Sequence, residues 1–87
     1  MPTISIFFGV IVQMYWDDHP PPHVHAFYAG FEALVEIETG LTIGGRLPPK
    51  VERLVREWVR TRRSELMYNW ERGRGKLPFE RVPGADA

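Results

Sequence analysis

The chain has 87 residues, of which 44% are hydrophobic and 25% charged, with no net charge at pH 7 and no cysteine. This length favours a single domain, since two halves would each be too small to bury a core. The lack of cysteine excludes disulfides and thiolate metal sites. The sequence has neither an apolar stretch of about 20 residues nor a basic leader, so we expect a cytoplasmic protein without a membrane segment.

The charges are unevenly distributed along the chain. Residues 1–45 contain five acidic residues and no Lys or Arg, whereas residues 46–87 contain all eleven basic residues and six acidic ones. The two parts therefore carry formal charges of −5 and +5. A basic surface of this kind suits RNA, DNA or an acidic partner. Mutual attraction of the two parts on folding is the alternative, because basic helices with interspersed Glu are common.

Alternating apolar residues over 3–16 predict one strand, or two strands joined at Gly9. The following segment, 17–22, contains three prolines, which exclude a helix and a central strand. We therefore expect a stiff loop there. The apolar residues that share one side of the first segment are Ile4, Ile6, Phe8, Val10, Val12 and Met14.

Residues 23–28 and 31–37 predict a hairpin with a two-residue turn. This turn would place Val24 opposite Val35, and would give one apolar and one mostly polar face. A one-residue slip would mix the two faces, so the pattern specifies the register. Residues 41–43 predict a short edge strand before a Gly-Gly pair.

A helix is predicted to start at Pro48-Pro49, because proline is tolerated in the first helical turn. Ser64 would cap a second helix over 65–72, and one bent helix is equally compatible with the pattern. The apolar stripe of the first helix has the spacing of a core-facing side and consists of Val51, Leu54, Val55, Trp58 and Val59. Arginines occupy the opposite side: Arg53, Arg56, Arg60 and Arg63.

These elements predict an α+β domain over residues 1–78, followed by a flexible C-terminal tail over 79–87. The predicted architecture is an antiparallel meander of three to four strands. One bent or two short amphipathic helices would pack on one face of that sheet. The arginine side of the helix would be either a solvated face or a contact surface for nucleic acid or a protein.

All three histidines lie within seven residues, in the segment Asp-Asp-His-Pro-Pro-Pro-His-Val-His. His23 and His25 are two residues apart on a strand, so their side chains leave the same face. In the predicted register Glu36 lies opposite His23. The proline loop would hold Asp18 and His19 near the start of that strand.

This cluster supports three interpretations that the residues alone leave open. His19, His23 and His25 could bind a divalent transition metal such as zinc, iron, nickel or manganese. The same histidines, with Asp18 and Glu36, could carry acid–base catalysis. A purely structural role is the third, since a cross-strand His–Glu pair contributes under about 1 kcal/mol.

Several segments together resemble the family catalogued as domain of unknown function 4160. They are Pro-Thr-Ile-Ser-Ile-Phe-Phe-Gly at 2–9, Asp-His at 18–19 followed by Pro-Pro-His-Val-His-Ala at 21–26, Glu-Ile-Glu-Thr-Gly at 36–40, Arg-Leu-Pro at 46–48, and Asn-Trp-Glu at 69–71. The resemblance extends from residue 2 to about residue 78. Val24 departs from the usual Phe between the last two histidines, and Pro20 makes the loop stiffer than in most members.

The resemblance implies a prokaryotic protein that is a component of a toxin–antitoxin module. It also implies a partner, a small protein encoded by the adjacent gene. We therefore expect first a toxin–antitoxin component that acts on RNA or translation through the histidine cluster. The alternatives are a non-catalytic protein- or DNA-binding module and a small His-ligated metalloprotein. The small size is also compatible with a homodimer.

Overall fold

A computed structural model describes residues 2–87 of the chain. These residues form a five-stranded antiparallel sheet, in which the strands follow their chain order, and then two helices. The α+β class is therefore confirmed, whereas the predicted three to four strands become five. The elements are β1 Thr3–Phe7, β2 Val10–Gln13, β3 His23–Tyr28, β4 Phe31–Glu36, β5 Thr42–Arg46, α1 Pro49–Thr61 and α2 Arg63–Arg74.

The first predicted segment divides into β1 and β2 at a two-residue turn. Phe8 and Gly9 have φ angles of 49° and 79°, the left-handed conformation that a tight hairpin requires at both central positions. A register shift between Thr3 and Ser5 interrupts the alternation in β1. As a consequence Phe7 is buried, while Ile6 and Phe8 are exposed. The predicted buried side is therefore wrong at Ile6 and Phe8.

The β3–β4 hairpin has the predicted register. Val24 pairs with Val35 and Tyr28 with Phe31, around a turn at Ala29 and Gly30. Ala29 has a φ of 47°, which costs a residue with a side chain roughly 1–2 kcal/mol. The pairing along both strands outweighs this cost.

Strand β5 is longer than the predicted residues 41–43, since it continues through Gly44 and Gly45 to Arg46. Gly45 has a φ of 64°, and a Cβ at this position would collide with the carbonyl oxygen of Glu32. The glycines thus allow the edge strand to approach β4 closely rather than ending the strand.

The helical region forms two helices, with a break at Arg62 (φ −102°, ψ 21°). The two-helix alternative is therefore correct. Ser64 lies inside the first turn of α2, and no side-chain cap forms there, so the predicted cap at Ser64 is wrong. Both helices contribute to the core, which also includes the inner face of the sheet. Its central side chains include Val12, Val24, Val35, Val55, Trp58, Val59, Leu66 and Trp70.

Part of the segment expected to be a flexible tail lies on the domain. Val82 is buried, and its amide donates to the carbonyl of Ile4 at 2.8 Å. The Trp58 indole donates to the Pro83 carbonyl at 2.8 Å. Asn69 uses its amide group to donate to, and accept from, the backbone of Glu80, at 2.8 Å in each case.

Neither helix within residues 2–87 has the length and apolar character needed to cross a membrane.

Candidate metal centre

The centre lies where the proline loop enters β3. Residues at the start of this loop contact the segment that follows α2. The Trp16 indole donates to the Leu77 carbonyl at 2.9 Å, and its ring stacks on Phe79 with centroids 4.8 Å apart. Lys76 donates to Asp17 at 2.8 Å, which holds the pKa of that carboxyl below its usual range. These contacts position the next residue, Asp18.

Asp18, His23 and His25 bring together three atoms of the kinds that bind metal ions. The Asp18 Oδ2 atom lies 2.9 Å from His25 Nε2 and 3.4 Å from His23 Nε2. One atom from each residue falls within 4.8 Å of the other two. The side chains of His23, His25 and Asp18 are 8%, 13% and 20% exposed. The group is thus largely sheltered from water.

The other ring nitrogen of each histidine has an acceptor. His23 Nδ1 lies 2.7 Å from the Pro21 carbonyl oxygen, which can only accept, so Nδ1 carries the proton. His25 Nδ1 lies 3.3 Å from Glu32 Oε2. Outer partners of this kind are typical of metal-ligating histidines, because they fix the ring and leave Nε2 free for the ion.

Aromatic rings support the two imidazoles. The Tyr15 ring meets His25 edge-on at a centroid distance of 4.5 Å, and Trp70 lies 5.5 Å from the His23 ring. Burial raises the pKa of Tyr15, and the nearby carboxylates of Glu32 and Asp18 add to the effect. The phenol is therefore neutral at pH 7 and donates to Gln13 Oε1 at 2.6 Å.

The structure brings together three of the five residues singled out from the sequence. His19 is exposed and contributes no atom to the group. Glu36 pairs with His23 as expected, but its carboxylate accepts a 2.6 Å bond from the Thr39 hydroxyl instead of joining the group. These two positions lie beside the centre and provide matched controls for it.

Sequence reasoning missed Glu32, which holds His25 from the other side. The predicted register already contained the signal for it. His25 pairs with Leu34, so Glu32 and Glu36 are its two diagonal neighbours on β4. Only side-chain geometry distinguishes the two carboxylates, since both satisfy the same pattern.

The four arginines of the predicted contact surface lie on the helices, and three of them contact the β4–β5 turn. Arg56, Arg60 and Arg63 each direct Nε at a backbone carbonyl of residues 37–40. Arg53 is exposed on α1.

No curated protein and no solved structure matches this chain. One family matches residues 9–71, a shorter range than the expected 2–78. The matched range runs from the β1–β2 turn into α2 and contains Asp18, His23 and His25. It covers well over half of the chain, and the protein therefore belongs to the family described as Domain of unknown function (DUF4160).

Proposed function

We propose that this protein is a small metal-binding domain that holds one divalent transition metal ion through Asp18, His23 and His25. The convergence of the two Nε2 atoms on Asp18 Oδ2 carries this proposal. The acceptors at both Nδ1 atoms support it, because they orient the imidazoles before any ion binds.

The spacing of the ligand atoms agrees with a shared ion. Ligands about 2.0–2.1 Å from a metal lie roughly 2.9 Å apart at a right angle and roughly 3.4 Å apart at the tetrahedral angle. The two separations from Asp18 Oδ2 are 2.9 and 3.4 Å. One ligand atom from each of the three residues lies within 4.8 Å of the other two.

The donor set suggests which ions bind and what they do. Two imidazoles and a carboxylate suit zinc and the redox-active ions iron, cobalt, nickel and manganese. Structural zinc sites use four protein ligands, whereas three ligands leave a position open for water or a substrate. The proposed site is thus of the open type, in which the ion can act as a Lewis acid.

Metal titration tests the proposal directly. Protein stripped with a chelator is titrated with Zn²⁺, Co²⁺, Ni²⁺ and Mn²⁺ by calorimetry, and bound metal is counted by elemental analysis. We expect one ion per chain for the wild type. His25→Ala and Asp18→Asn should abolish stoichiometric binding, because each removes one of only three ligands. Glu32→Gln should weaken it about 10- to 100-fold, as expected for an outer partner.

Two variants provide matched controls. His19→Ala and Glu36→Gln remove the same kinds of group from outside the cluster and should leave affinity unchanged. Circular dichroism of every variant separates loss of ligand from loss of fold. Absence of binding by the wild type, or equal losses in the control variants, would contradict the metal site.

Acid–base catalysis is the second candidate, because His25 lies between Asp18 Oδ2 and Glu32 Oε2 at 2.9 and 3.3 Å. An imidazole held between two carboxylates is oriented for proton transfer. If an enzymatic activity is found, its dependence on bound metal distinguishes the metal site from acid–base catalysis. Activity that survives removal of metal, and is lost in His25→Ala, would favour acid–base catalysis.

The toxin–antitoxin role and the action on RNA or translation stay predictions. Growth after induced expression tests them, with wild type and His25→Ala each produced with and without the adjacent gene. Arrest by the wild type alone, relieved by the neighbour, would support a toxin that uses this site. Normal growth in every arm would count against a toxin and would leave the metal site to the titration.

A further inference from the structure

Three arginines are held by the turn between β4 and β5. Arg56 on α1 donates from Nε to the Gly40 carbonyl at 3.0 Å, and Arg60 donates from Nε to Thr39 at 3.5 Å. Arg63, at the start of α2, donates from Nε to the Ile37 carbonyl at 3.4 Å. Each of these bonds uses the inner nitrogen of the guanidinium. The two outer nitrogens of each group remain as donors.

The turn is shaped to receive one of these side chains. Gly40 has a φ of 71°, and a Cβ there would lie 2.7 Å from Cγ of Arg60 and 2.8 Å from its Nε. The Arg60 side chain thus lies flat across the glycine. Holding a long, flexible side chain in one position lowers the entropy cost of using it to bind a ligand.

The arginines of this surface form no salt bridge within residues 2–87, although Glu52 and Glu57 lie on the same helix. Over residues 2–87 the Lys and Arg salt bridges are Arg62–Glu65 and Lys76–Asp17, so the four arginines have no carboxylate within 4.0 Å. Glu52 on the same helix instead accepts a bond from the Thr42 hydroxyl at 2.7 Å. The helix surface forms a shallow cavity of about 340 Å³, lined by Pro49, Glu52, Arg53, Arg56, Glu57 and Arg60.

We propose that the arginine face, made of Arg53, Arg56, Arg60 and Arg63, binds the phosphate backbone of a nucleic acid. The outer guanidinium nitrogens supply paired donors, which match the oxygens of a phosphate. Arg56 and Arg60 are one helical turn apart, a rise of about 6 Å, so they can contact separate phosphates along a strand. This surface is distinct from the proposed metal centre and does not depend on it.

The composition of the face favours nucleic acid over a protein partner. A protein interface has an apolar centre with aromatic anchors. Five of the six residues that line the cavity on this helix are charged, three Arg and two Glu, and only Pro49 is uncharged. No large hydrophobic side chain is exposed on α1, whereas Leu41 is exposed in the β4–β5 turn and Tyr68 on α2.

The salt dependence of binding to 20-base-pair duplexes of DNA and RNA, which have the same sequence, tests this proposal. Four phosphate contacts on DNA predict a slope of about −3.6 in log K against log salt, or a loss of about 150-fold between 50 and 200 mM. The double variant Arg56→Gln, Arg60→Gln should reduce the slope to about −1.8 and the loss to about 12-fold. Arg56→Lys with Arg60→Lys keeps the charge and should keep most of the slope.

A matched control changes the same charge elsewhere. Arg74→Gln with Arg81→Gln removes two exposed arginines outside the face and should retain the wild-type slope. The proposal is overturned if the wild type binds neither duplex, or if this control lowers the slope as much as the Arg56 and Arg60 pair. Equal affinity for polyglutamate would also overturn it, because phosphate recognition would then be absent. Thermal denaturation of each variant confirms that the compared proteins are folded.

Discussion

Asn69→Ala and Val82→Ala should each destabilise the domain by about 2 kcal/mol. Asn69 is 1% exposed and makes two hydrogen bonds to the backbone of Glu80, each worth about 1 kcal/mol net. Val82 is 5% exposed, and removing two buried methyl groups costs about 0.8 kcal/mol each before any cavity is counted. In a domain of this size, 2 kcal/mol lowers Tm by roughly 8–16 °C.

Urea denaturation of the single and double variants measures these losses. Both residues act through the docked segment that follows α2, so the double variant should lose less than the sum of the two single losses. Arg81→Ala changes an exposed neighbour in that segment and should stay within about 0.5 kcal/mol of wild type. Losses below about 0.5 kcal/mol for both Asn69→Ala and Val82→Ala would refute the docking argument. Residues 79–87 would then behave as the flexible tail expected from their composition.

Three further substitutions test local features by thermal or urea denaturation. Gly40→Ala should lower the free energy of unfolding by about 1 kcal/mol more than Gly30→Ala does, because both glycines have positive φ but only Gly40 is covered by Arg60. Equal losses in the two variants would contradict the contact between Gly40 and Arg60. Ser5→Ala should leave stability unchanged or raise it by about 1 kcal/mol, since the buried Ser5 hydroxyl has no hydrogen-bond partner within the described residues. A large loss would reveal a bond to this hydroxyl. Leu66→Ala should cost about 2–5 kcal/mol, as Leu66 is fully buried, and a loss below 1 kcal/mol would contradict its place in the core.

The parts of the fold that follow a regular pattern could be predicted from the sequence. The β3–β4 register was predictable because a one-residue slip would have moved Val24 off the apolar face that it shares with Val35. The helix stripe through Val55 and Trp58 follows the helical period in the same way. Strand β1 was predicted less well, because its register shift near Ser5 reverses the alternation and leaves no local mark in the sequence.

The candidate site was only partly predictable for a related reason. The two-residue spacing of His23 and His25 determines their common face, and the short loop brings Asp18 near them. The choice between Glu32 and Glu36 depends on side-chain rotamers, which a pairing pattern does not contain. The hydrogen bond from Arg56 to Gly40 in the β4–β5 turn joins residues that are 16 apart, and helical periodicity alone predicts only a solvent-facing side chain.

The contacts between the proline loop and the segment after α2 also affect the order in which this protein folds. Trp16 contacts Leu77, and Asp17 contacts Lys76, across 61 and 59 residues of sequence. Contacts between distant residues form slowly, because a long chain segment must first be closed. We expect the β3–β4 hairpin to form early and the loop that carries Asp18 to become ordered last. Pulse-labelled hydrogen exchange during refolding should then protect the Val24 amide well before the Asp18 amide, and the proposed metal centre would be completed late.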